Sequence, residues 1–557
     1  MAEKSASANR VDIKERARRA LLSKVLRSRD LGDDLLERVR AELGPKGAEL
    51  EAAYWASPAQ QDNYRSVAVR GEAAPNSENL NSSSYLSLLL VRGGLDLDRL
   101  RACVQRIFER HEALRTTLYV GTFGRVVALV WKPRPVRWCV RDITTLPGWG
   151  EVTPAVVAGR YMGERVSVVW SAEDHGFFGV EVIVNEESGT FYVIFETNRL
   201  TFDRSCWDTL SNELKALYGA DDPASVELPA APSPGEYNRW MMEQVAADVA
   251  AHWRERFPPD FVPSSIADPD VDLTKPANEP YRDFTTLLTG DVPLLDEAAR
   301  LRRVPWWALP LGATGLALAH RCKAKDFVTF RFDDRGRDPR FPDCSTVIGN
   351  YSRLLPIRLP VRRDMKLEAY LRAVVEEEAA MSRYSLGLST KEIMNLVEPT
   401  VKRRAIRRGQ TVTPLLFSCR RENWDEGTDL LLGLETSRTL TRSGTSRVKK
   451  MAKQGRSDFP KLASAEAAEE VSDDSLAAND KLYNDVKGAF FDSQLISKYY
   501  PVAPQRGNAL RLEGNAKPSR VSDEGMEDFF NAWYVALMFL SVADAETIGE
   551  IFDAIEA

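Results

Sequence analysis

Histidine is the scarcest residue of this 557-residue sequence, with four copies in the whole chain. Histidine is the side chain that most often exchanges protons near neutral pH, so this scarcity limits any acid–base mechanism. The six cysteines are scattered and form no CxxC pair, which argues against both a disulfide framework and a zinc site. We therefore expect reduced thiols, a cytoplasmic location and no metal.

Long apolar runs and an excess of positive charge are also missing. No apolar run reaches the roughly 18 residues that a membrane span needs, and the N-terminus lacks the apolar core of a secretory signal. The net charge of −6 argues against a nucleic-acid-binding protein, which usually carries a basic surplus. The sequence contains neither a G-x-G-x-x-G fingerprint nor a Walker loop. We expect no nucleic-acid partner, no membrane partner and no cofactor of the protein's own.

The segments that are present alternate between strand-like and helix-like patterns. Hydrophobic residues at 44% and charged residues at 28% are typical of a globular protein, and the length suits two or three domains. Strand-like runs at 84–91 and 190–197 flank a helix-like segment at 96–111. The second half repeats this alternation after a Pro-rich segment at 218–240. The pattern predicts an α/β protein with two lobes, 51–228 and 229–557.

Two charged segments lie outside this alternation. Residues 1–50 contain two amphipathic stretches, which predict either a helical extension packed on the main body or a docking segment for a partner. Residues from about 438 to 505 begin with a basic block and continue with an acidic one. Such a segment is either a solvated insertion or a partner-binding surface.

Four sequence blocks occur in an order and spacing that point to a known family. They are SPAQQDNY at 57–64, RHEALRTTL at 110–118, EYNRW at 236–240 and VIGNYSRLLPIRL at 347–359. Together they resemble the conserved blocks of condensation domains of nonribosomal peptide synthetases, in the chloramphenicol-acetyltransferase-like superfamily. The resemblance implies two acetyltransferase-like lobes arranged as a V-shaped pseudo-dimer.

A further block of the family, H-H-x-x-x-D-G, corresponds here to a changed sequence. Asn198 and Arg199 stand at the two histidine positions, Asp203 is retained, and Arg204 replaces the glycine. The resemblance implies that Asp203 is structural and pairs with Arg335 or Arg337. A guanidinium with a pKa above about 12 cannot accept a proton at neutral pH. Arg199 is therefore not a general base, although it could stabilise developing negative charge or bind an anion.

The candidate site residues fall into three groups. The catalytic candidates are Arg199, Asn198 and Cys206, the last because a thiol at a helix start can have a lowered pKa, although a cysteine there could equally be a small buried residue. The structural candidates are Asp203, Arg335, Arg337, and His111 and Arg115 of the second block. The candidates for lining a channel between the lobes are Arg204, Ser205, Glu196, Asn350 and Tyr351.

The resemblance leaves three functions open. The first is amide- or ester-forming acyl transfer, in trans, from a thioester held on the 4'-phosphopantetheine of a peptidyl or acyl carrier protein. The second is a catalytically inactive module, similar to the X-domains of glycopeptide synthetases, that recruits a carrier protein or a tailoring enzyme. The third is an acyl-CoA-dependent acyltransferase. Whether the altered site turns over stays open at this point.

Overall fold

The fold was determined from a computed structural model of the protein. The first amphipathic stretch of the N-terminal extension and most of the predicted charged insertion lie outside the residues that the structure describes. The residues that the structure describes are 34–67, 84–143, 177–257, 264–272, 282–289, 295–396, 415–421, 435–442, 493–503, 507–542 and 545–557.

Helices and strands alternate along the described chain. The helices are α1 (Leu35–Leu43), α2 (Pro58–Val67), α3 (Leu97–Arg110), α4 (Cys206–Gly219), α5 (Pro234–Glu243), α6 (Val249–Arg256), α7 (Leu295–Arg302), α8 (Ala308–Cys322), α9 (Leu367–Ser385), α10 (Thr390–Leu396), α11 (Asp523–Ser541) and α12 (Ile548–Glu556). The strands are β1 (Leu50–Trp55), β2 (Ser84–Arg92), β3 (Thr116–Tyr119), β4 (Val127–Trp131), β5 (Arg137–Asp142), β6 (Gly179–Asn185), β7 (Thr190–Asn198), β8 (Arg282–Thr289), β9 (Phe327–Asp334), β10 (Arg353–Pro360), β11 (Leu415–Arg421), β12 (Glu435–Arg442), β13 (Ser493–Ala503) and β14 (Gly507–Ala516).

The first lobe is a five-stranded sheet in the order β12-β2-β7-β6-β5, with α3 and α4 packed on one face. Helix α3 begins after Asp96, whose side chain accepts a hydrogen bond from the backbone N–H of Arg99. Its buried stripe of Leu100, Val104 and Ile107 has helical spacing and faces the sheet. The helix predicted at 96–111 is thereby confirmed, and it closes one side of the first core.

The second lobe is a six-stranded sheet in the order β10-β9-β11-β13-β14-β8, covered by α8, α9 and α11. Helix α8 is apolar over most of its surface because it lies inside this core. Its few polar groups are satisfied there: Tyr370 donates to the carbonyl of Gly312 at 2.6 Å, and the Trp533 indole donates to Thr314 at 2.9 Å. Among the described helices, none combines the length and the apolar character needed to span a membrane.

One strand of the first sheet comes from the second half of the chain. Strand β12 pairs antiparallel with β2 through eight residue pairs, whereas the strands before and after it, β11 and β13, pair with each other in the second sheet. The charged insertion predicted at about 438–505 overlaps β12 at its start and β13 at its end. Although β12 belongs to the second half of the chain, it completes the sheet of the first lobe.

A third, small sheet of β1, β4 and β3 holds the described part of the N-terminal extension. Leu35 and Val39 of α1 are buried against this sheet, so α1 packs on the main body. Glu42 at the end of the helix accepts hydrogen bonds from the Tyr119 hydroxyl at 2.8 Å and from the backbone and hydroxyl of Thr122, both at 2.9 Å. Packing on the body is therefore the arrangement found for the second amphipathic stretch.

The segment EYNRWMMEQVAADVAAHWRERF contains neither glycine nor proline, yet it is divided into two helices, α5 and α6, between Gln244 and Asp248. Met242 of α5 packs with the small sheet, whereas Val249 and Trp253 of α6 belong to the core of the second lobe. One straight helix could not bury Met242 in one core and Val249 and Trp253 in another. Tertiary packing therefore breaks the helix here, although the segment contains no helix-breaking residue.

Candidate functional site

The loop 198–206 connects β7 of the first lobe to α4 and begins with a tight turn. The Asn198 side chain accepts a hydrogen bond from the backbone N–H of Leu200 at 2.9 Å, and the Asn198 carbonyl accepts from Thr201 and Phe202. Asn198 is fully buried. An asparagine that holds its own backbone turn in this way has a structural part in the loop. The geometry thus gives no support to Asn198 as a catalytic group.

Asp203 ties this loop to the second lobe. Its Oδ2 accepts hydrogen bonds from Arg337 Nη1 at 2.8 Å and from the backbone N–H of Tyr351 at 2.9 Å, and its Oδ1 accepts from the Ser205 N–H at 3.0 Å. The two charged side chains are only 4% and 6% exposed. Arg335, the other arginine considered as a partner, is exposed. Arg337 therefore makes the pair that joins the lobes under the loop.

Arg337 stays charged in this buried position. Burial by itself would lower the pKa of its guanidinium, but the nearby carboxylate of Asp203 outweighs that effect and holds the pKa above its ordinary value. The second terminal nitrogen of Arg337 donates to the carbonyls of Val347 at 3.0 Å and Gly349 at 3.3 Å. Arg337 thus connects the loop 198–206 with the 347–349 segment and with the residues that follow β9.

Cys206 lies in the same buried junction. Its Sγ is 3.1 Å from the Gly349 carbonyl, 3.5 Å from Asp203 Oδ1 and 3.4 Å from Arg337 Nη2. The residue is 1% exposed, and burial together with the charge of Asp203 raises the pKa of its thiol to about 12. A nucleophilic cysteine needs a thiolate and an open approach, and this environment provides neither. The structure therefore argues against the nucleophile hypothesis for Cys206.

Asn350 and Tyr351 are also part of the junction between the lobes. The Asn350 side-chain amide donates to the carbonyl of Arg199, and the Ser57 hydroxyl donates to the Asn350 carbonyl at 2.6 Å. Both Asn350 and Tyr351 are only 3% exposed. They were expected to line a channel, whereas their burial makes them supports of the loop.

The remaining loop residues are less buried. Arg199 and Ser205 are partly buried, and Arg204 is exposed. Neither arginine is enclosed in a packed core, so the loop carries two cations outside its buried frame. Such an arrangement favours an anion over a protonated amine.

Glu196 precedes the loop on β7 and is 2% exposed. Arg137 on β5 donates to its Oε2 at 2.6 Å across the intervening strand β6. Arg137, Gly179 and Glu196 are direct neighbours in register, and a Cβ at Gly179 would overlap the guanidinium. Because Gly179 has no side chain, the Arg137 side chain can cross β6 and reach Glu196. The arginine neutralises the Glu196 carboxylate, so Glu196 is poorly suited to act as a base. Sequence reasoning missed both Arg137 and Gly179.

The second block, 110–118, is held by its own polar contacts. His111 Nε2 lies 2.7 Å from Glu213 Oε2, and Arg110 Nε donates to Glu213 Oε1 at 3.2 Å. Burial raises the pKa of Glu213, but the bond and charge of His111, with those of Arg110, outweigh it and lower the pKa below its ordinary value. Arg115 donates to Glu51 at 2.6 Å and to the Trp131 carbonyl. These contacts give His111 and Arg115 structural roles.

A turn at 335–338 places Arg337, and two residues outside the predicted set hold it. The Tyr237 hydroxyl donates to the Gly336 carbonyl at 2.7 Å and accepts from the Asp338 N–H at 2.8 Å. Gly336 has φ +66° and no room for a Cβ beside the Tyr351 carbonyl, so a side chain there would be strained. The block EYNRW contains Tyr237, but its sequence does not indicate this contact.

With this geometry, the chain can be compared with known proteins. The sequence pattern of the Condensation domain family matches residues 51–395. The chain belongs to the condensation-domain family. It is 24% identical over 367 residues to the nonribosomal peptide synthetase ecdA of Aspergillus rugulosus, and the match covers 63% of this chain and 4% of that protein. It is 21% identical over 345 residues to surfactin synthase subunit 1 of Bacillus subtilis (strain 168), covering 60% and 9%.

Solved condensation domains share the fold. A variant of the starter condensation domain of rhizomide synthetase, in complex with C8-CoA and Leu-SNAC, has a TM-score of 0.60 at 14% identity and covers 92% of this chain and 98% of that one. The condensation domain from the monacolin K polyketide synthase has a TM-score of 0.59 at 13% identity and covers 89% of this chain and 99% of that one. The prediction of an α/β fold with two acetyltransferase-like lobes is confirmed. The chain spans less than a tenth of the two synthetases' own lengths.

The described part of this condensation domain offers no histidine in the loop. His111 is engaged with Glu213, His320 lies on α8, and His252 on α6 stacks on Tyr384 with ring centroids 3.7 Å apart. Among the described residues, no three His, Cys, Asp or Glu side chains are grouped to hold a metal ion. The loop thus combines the buried Asp203–Arg337 pair with an arginine at position 199.

Proposed function

We propose that this condensation domain transfers an acyl or peptidyl group from a thioester on the 4'-phosphopantetheine of a carrier protein to an amine or hydroxyl, without a general base of its own. The carrier protein delivers the substrate in trans, and the reaction belongs to nonribosomal peptide or related natural-product assembly in the cytoplasm. The observation that carries the proposal is the buried Asp203–Arg337 pair, which keeps the loop in place while Arg199 occupies the base position.

The frame supports transfer because positioning accounts for a large part of such reactions. Aminolysis of a thioester is downhill, and well-oriented reactants reach effective molarities of about 10⁵ M or more. Three contacts hold the loop against the second lobe. Asp203 binds Arg337, the Cys206 thiol contacts the Gly349 carbonyl, and the Arg199 carbonyl accepts from Asn350. A site that only needs to hold a thioester next to an acceptor can work without a proton acceptor.

Arg199 supplies electrostatic stabilisation in this proposal. Attack on the thioester carbonyl places negative charge on its oxygen, and a guanidinium close to that oxygen lowers the energy of the tetrahedral intermediate. The acceptor must lose its proton to solvent before it attacks. Collapse of the intermediate breaks the carbon–sulfur bond, and the phosphopantetheine thiolate leaves and takes a proton from solvent. For an α-amine, whose pKa is about 8, the rate should rise with pH through that value and show no inflection near the histidine pKa of about 6.5.

Recruitment without turnover is the second candidate, and the state of the loop favours it. The carboxylate and the thiol of the loop are both engaged: Asp203 binds Arg337, and Cys206 is buried with a pKa raised to about 12. In this case the domain would bind a carrier protein or a tailoring enzyme. Transfer from an acyl-CoA is the third candidate and is tested in the same experiment.

The deciding experiment follows the mass of the carrier protein. Purified protein is mixed with acyl-loaded carrier proteins encoded near its gene, or with an acyl-CoA, and with candidate amines. Transfer that is lost in Arg199→Ala and retained in the surface variant Arg282→Ala supports the proposal. Tight carrier binding without turnover would replace it with the recruitment function. Transfer from acyl-CoA alone would replace the carrier protein as donor.

A further inference from the structure

Helix α5 connects the two lobes beneath the loop. Asn238 on this helix donates to the carbonyl of Trp55 in the first lobe at 3.0 Å, and its neighbour Tyr237 binds the 335–338 turn of the second lobe. Both residues are almost completely buried, with 1% and 0% of their surface exposed. The helix therefore has a fixed position relative to both sides of the junction.

The Tyr237 hydroxyl satisfies two backbone groups at once. It donates to the Gly336 carbonyl and accepts from the Asp338 N–H, so it bridges the two residues that flank Arg337. Without the hydroxyl, both backbone groups would be buried and unpaired unless the turn moved. Since Gly336 packs directly on the Tyr351 carbonyl, a displaced turn would also disturb the residue whose N–H binds Asp203.

The ring of Tyr237 fixes the hydroxyl. It contacts Tyr351 edge-on with centroids 4.8 Å apart, Phe341 at 5.0 Å and Trp240 in a stacked arrangement at 5.9 Å. On the other side of the turn, Asp334 accepts from Arg353 Nη2 at 2.7 Å in a buried ion pair. The turn is thus held at its strand end by an ion pair and at Arg337 by the tyrosine.

We propose that Tyr237 is a positioning residue that acts through Arg337: its hydroxyl holds the 336–338 turn and thereby sets the guanidinium against Asp203 and Cys206. The inference deepens the proposed function, because that function rests on the Asp203–Arg337 frame. Its main test needs no substrate, since Cys206 contacts Arg337 and reports on the frame directly.

The test compares two buried tyrosines in the full-length protein. Tyr237→Phe removes the hydroxyl below Arg337, and the control Tyr370→Phe removes a hydroxyl that donates to the Gly312 carbonyl in the second core at 2.6 Å. Both residues are fully buried. Alkylation of each cysteine is followed under native conditions by peptide mass spectrometry, with buried Cys103 of α3 as the internal reference.

Tyr237→Phe should accelerate alkylation of Cys206 about tenfold relative to Cys103, as expected when a buried hydrogen bond near the thiol is lost. Tyr370→Phe should change both cysteines equally, because it acts only through global unfolding. Equal acceleration of both cysteines in Tyr237→Phe, or an unchanged Cys206, would overturn the proposal. In combination with Arg337→Gln, the Tyr237→Phe effect on Cys206 should largely disappear, and full additivity would contradict action through Arg337.

A measurement on the wild-type protein covers the case in which Tyr237→Phe does not fold. The Asp338 amide should be protected from hydrogen exchange by its bond to the Tyr237 hydroxyl, and exchange at the rate of an open loop would overturn the proposal. Wild-type protein that protects Cys206 and Asp338 but transfers no acyl group would count against the proposed function alone.

Discussion

The second block, 110–118, and the loop 198–206 differ in how their polar side chains are held. In the second block these side chains lie in matched contacts such as His111–Glu213 and Arg115–Glu51. In the loop, Asp203 forms a buried pair with Arg337, whereas Arg199 is only partly buried and Arg204 is exposed. The comparison separates two requirements: a buried charge needs its partner, whereas a charge near the surface can change with little effect on the fold.

Some positions of the loop should therefore affect the stability of the protein, and others its chemistry. Residues that cross between the lobes, such as Asp203 and Asn350, are buried and bonded. Arg199 and Arg204 are more open to solvent. Experiments at these two sets of positions should give different kinds of effect.

Asp203→Ala should give the largest effect. It leaves the Arg337 guanidinium buried without its carboxylate, and breaking a buried pair from one side costs about 3–5 kcal/mol. Thermal and urea unfolding measure the loss. The matched control is Asp523→Ala, which breaks the exposed pair with Arg282 and should cost less than about 1 kcal/mol. An unchanged melting temperature in Asp203→Ala would show that Asp203 is not structural.

Arg199→His should raise the rate of acyl transfer if the proposed function is correct, because that proposal puts residue 199 where a general base would act. General-base catalysis contributes about 10²- to 10⁴-fold, and the variant should gain a pH inflection near 6.5 that the wild-type protein lacks. Carrier-protein mass spectrometry across pH 5.5–9 measures both. Arg199→Gln serves as the uncharged control without a base. If the histidine variant is no faster than the glutamine variant, the loop does not place residue 199 next to the acceptor.

Gly179→Ala should cost about 1–3 kcal/mol. The new methyl group would displace the Arg137 guanidinium, and the buried Glu196 carboxylate would then lack this partner. Gly94→Ala is a suitable control, because a Cβ there meets no atom within 4 Å. Urea unfolding compares the two variants. Equal stabilities would mean that the arginine bridge across β6 contributes nothing to the fold.

Glu213→Gln should give the smallest effect and should depend on pH. The pKa of Glu213 is lowered in the folded protein, so its charged form adds stability above the unfolded pKa of about 4.5, and this stability is lost as pH falls through the folded value. The variant should be about 1 kcal/mol less stable at pH 7, and the gap should narrow below pH 4.5. Glu297→Gln on exposed α7 controls for the change in net charge. A constant gap between pH 7 and pH 3.5 would contradict the assignment.

Most of the fold could be predicted from sequence because its signals are local. Helices α3 and α4 and strands β2 and β7 follow from apolar spacing within a few turns or residues. The break between α5 and α6 and the placement of β12 in the first sheet could not be predicted, since each is decided by which distant surface buries the segment.

The candidate site was predictable only at its chemically unusual positions. Arg199 could be excluded as a base without coordinates, because guanidinium pKa values stay far above neutral in any environment of this kind. The contact between Asp203 and Arg337 spans 134 positions, and spacing left Arg335 as an equal alternative. Tyr237 and Arg137 could not be predicted, because nothing in the sequence around a tyrosine or a strand arginine indicates which distant residue it will contact.

The sequence by itself determined the two-lobe α/β class and the order of the blocks that resemble the family, since these depend on residue type and local spacing. Only the tertiary structure decided that Cys206 is a buried thiol with a raised pKa, that Asn350 and Tyr351 contact the loop, and that a strand of the second half completes the first sheet. Burial and partner choice are long-range properties, and they set both the pKa of a side chain and its access to a substrate.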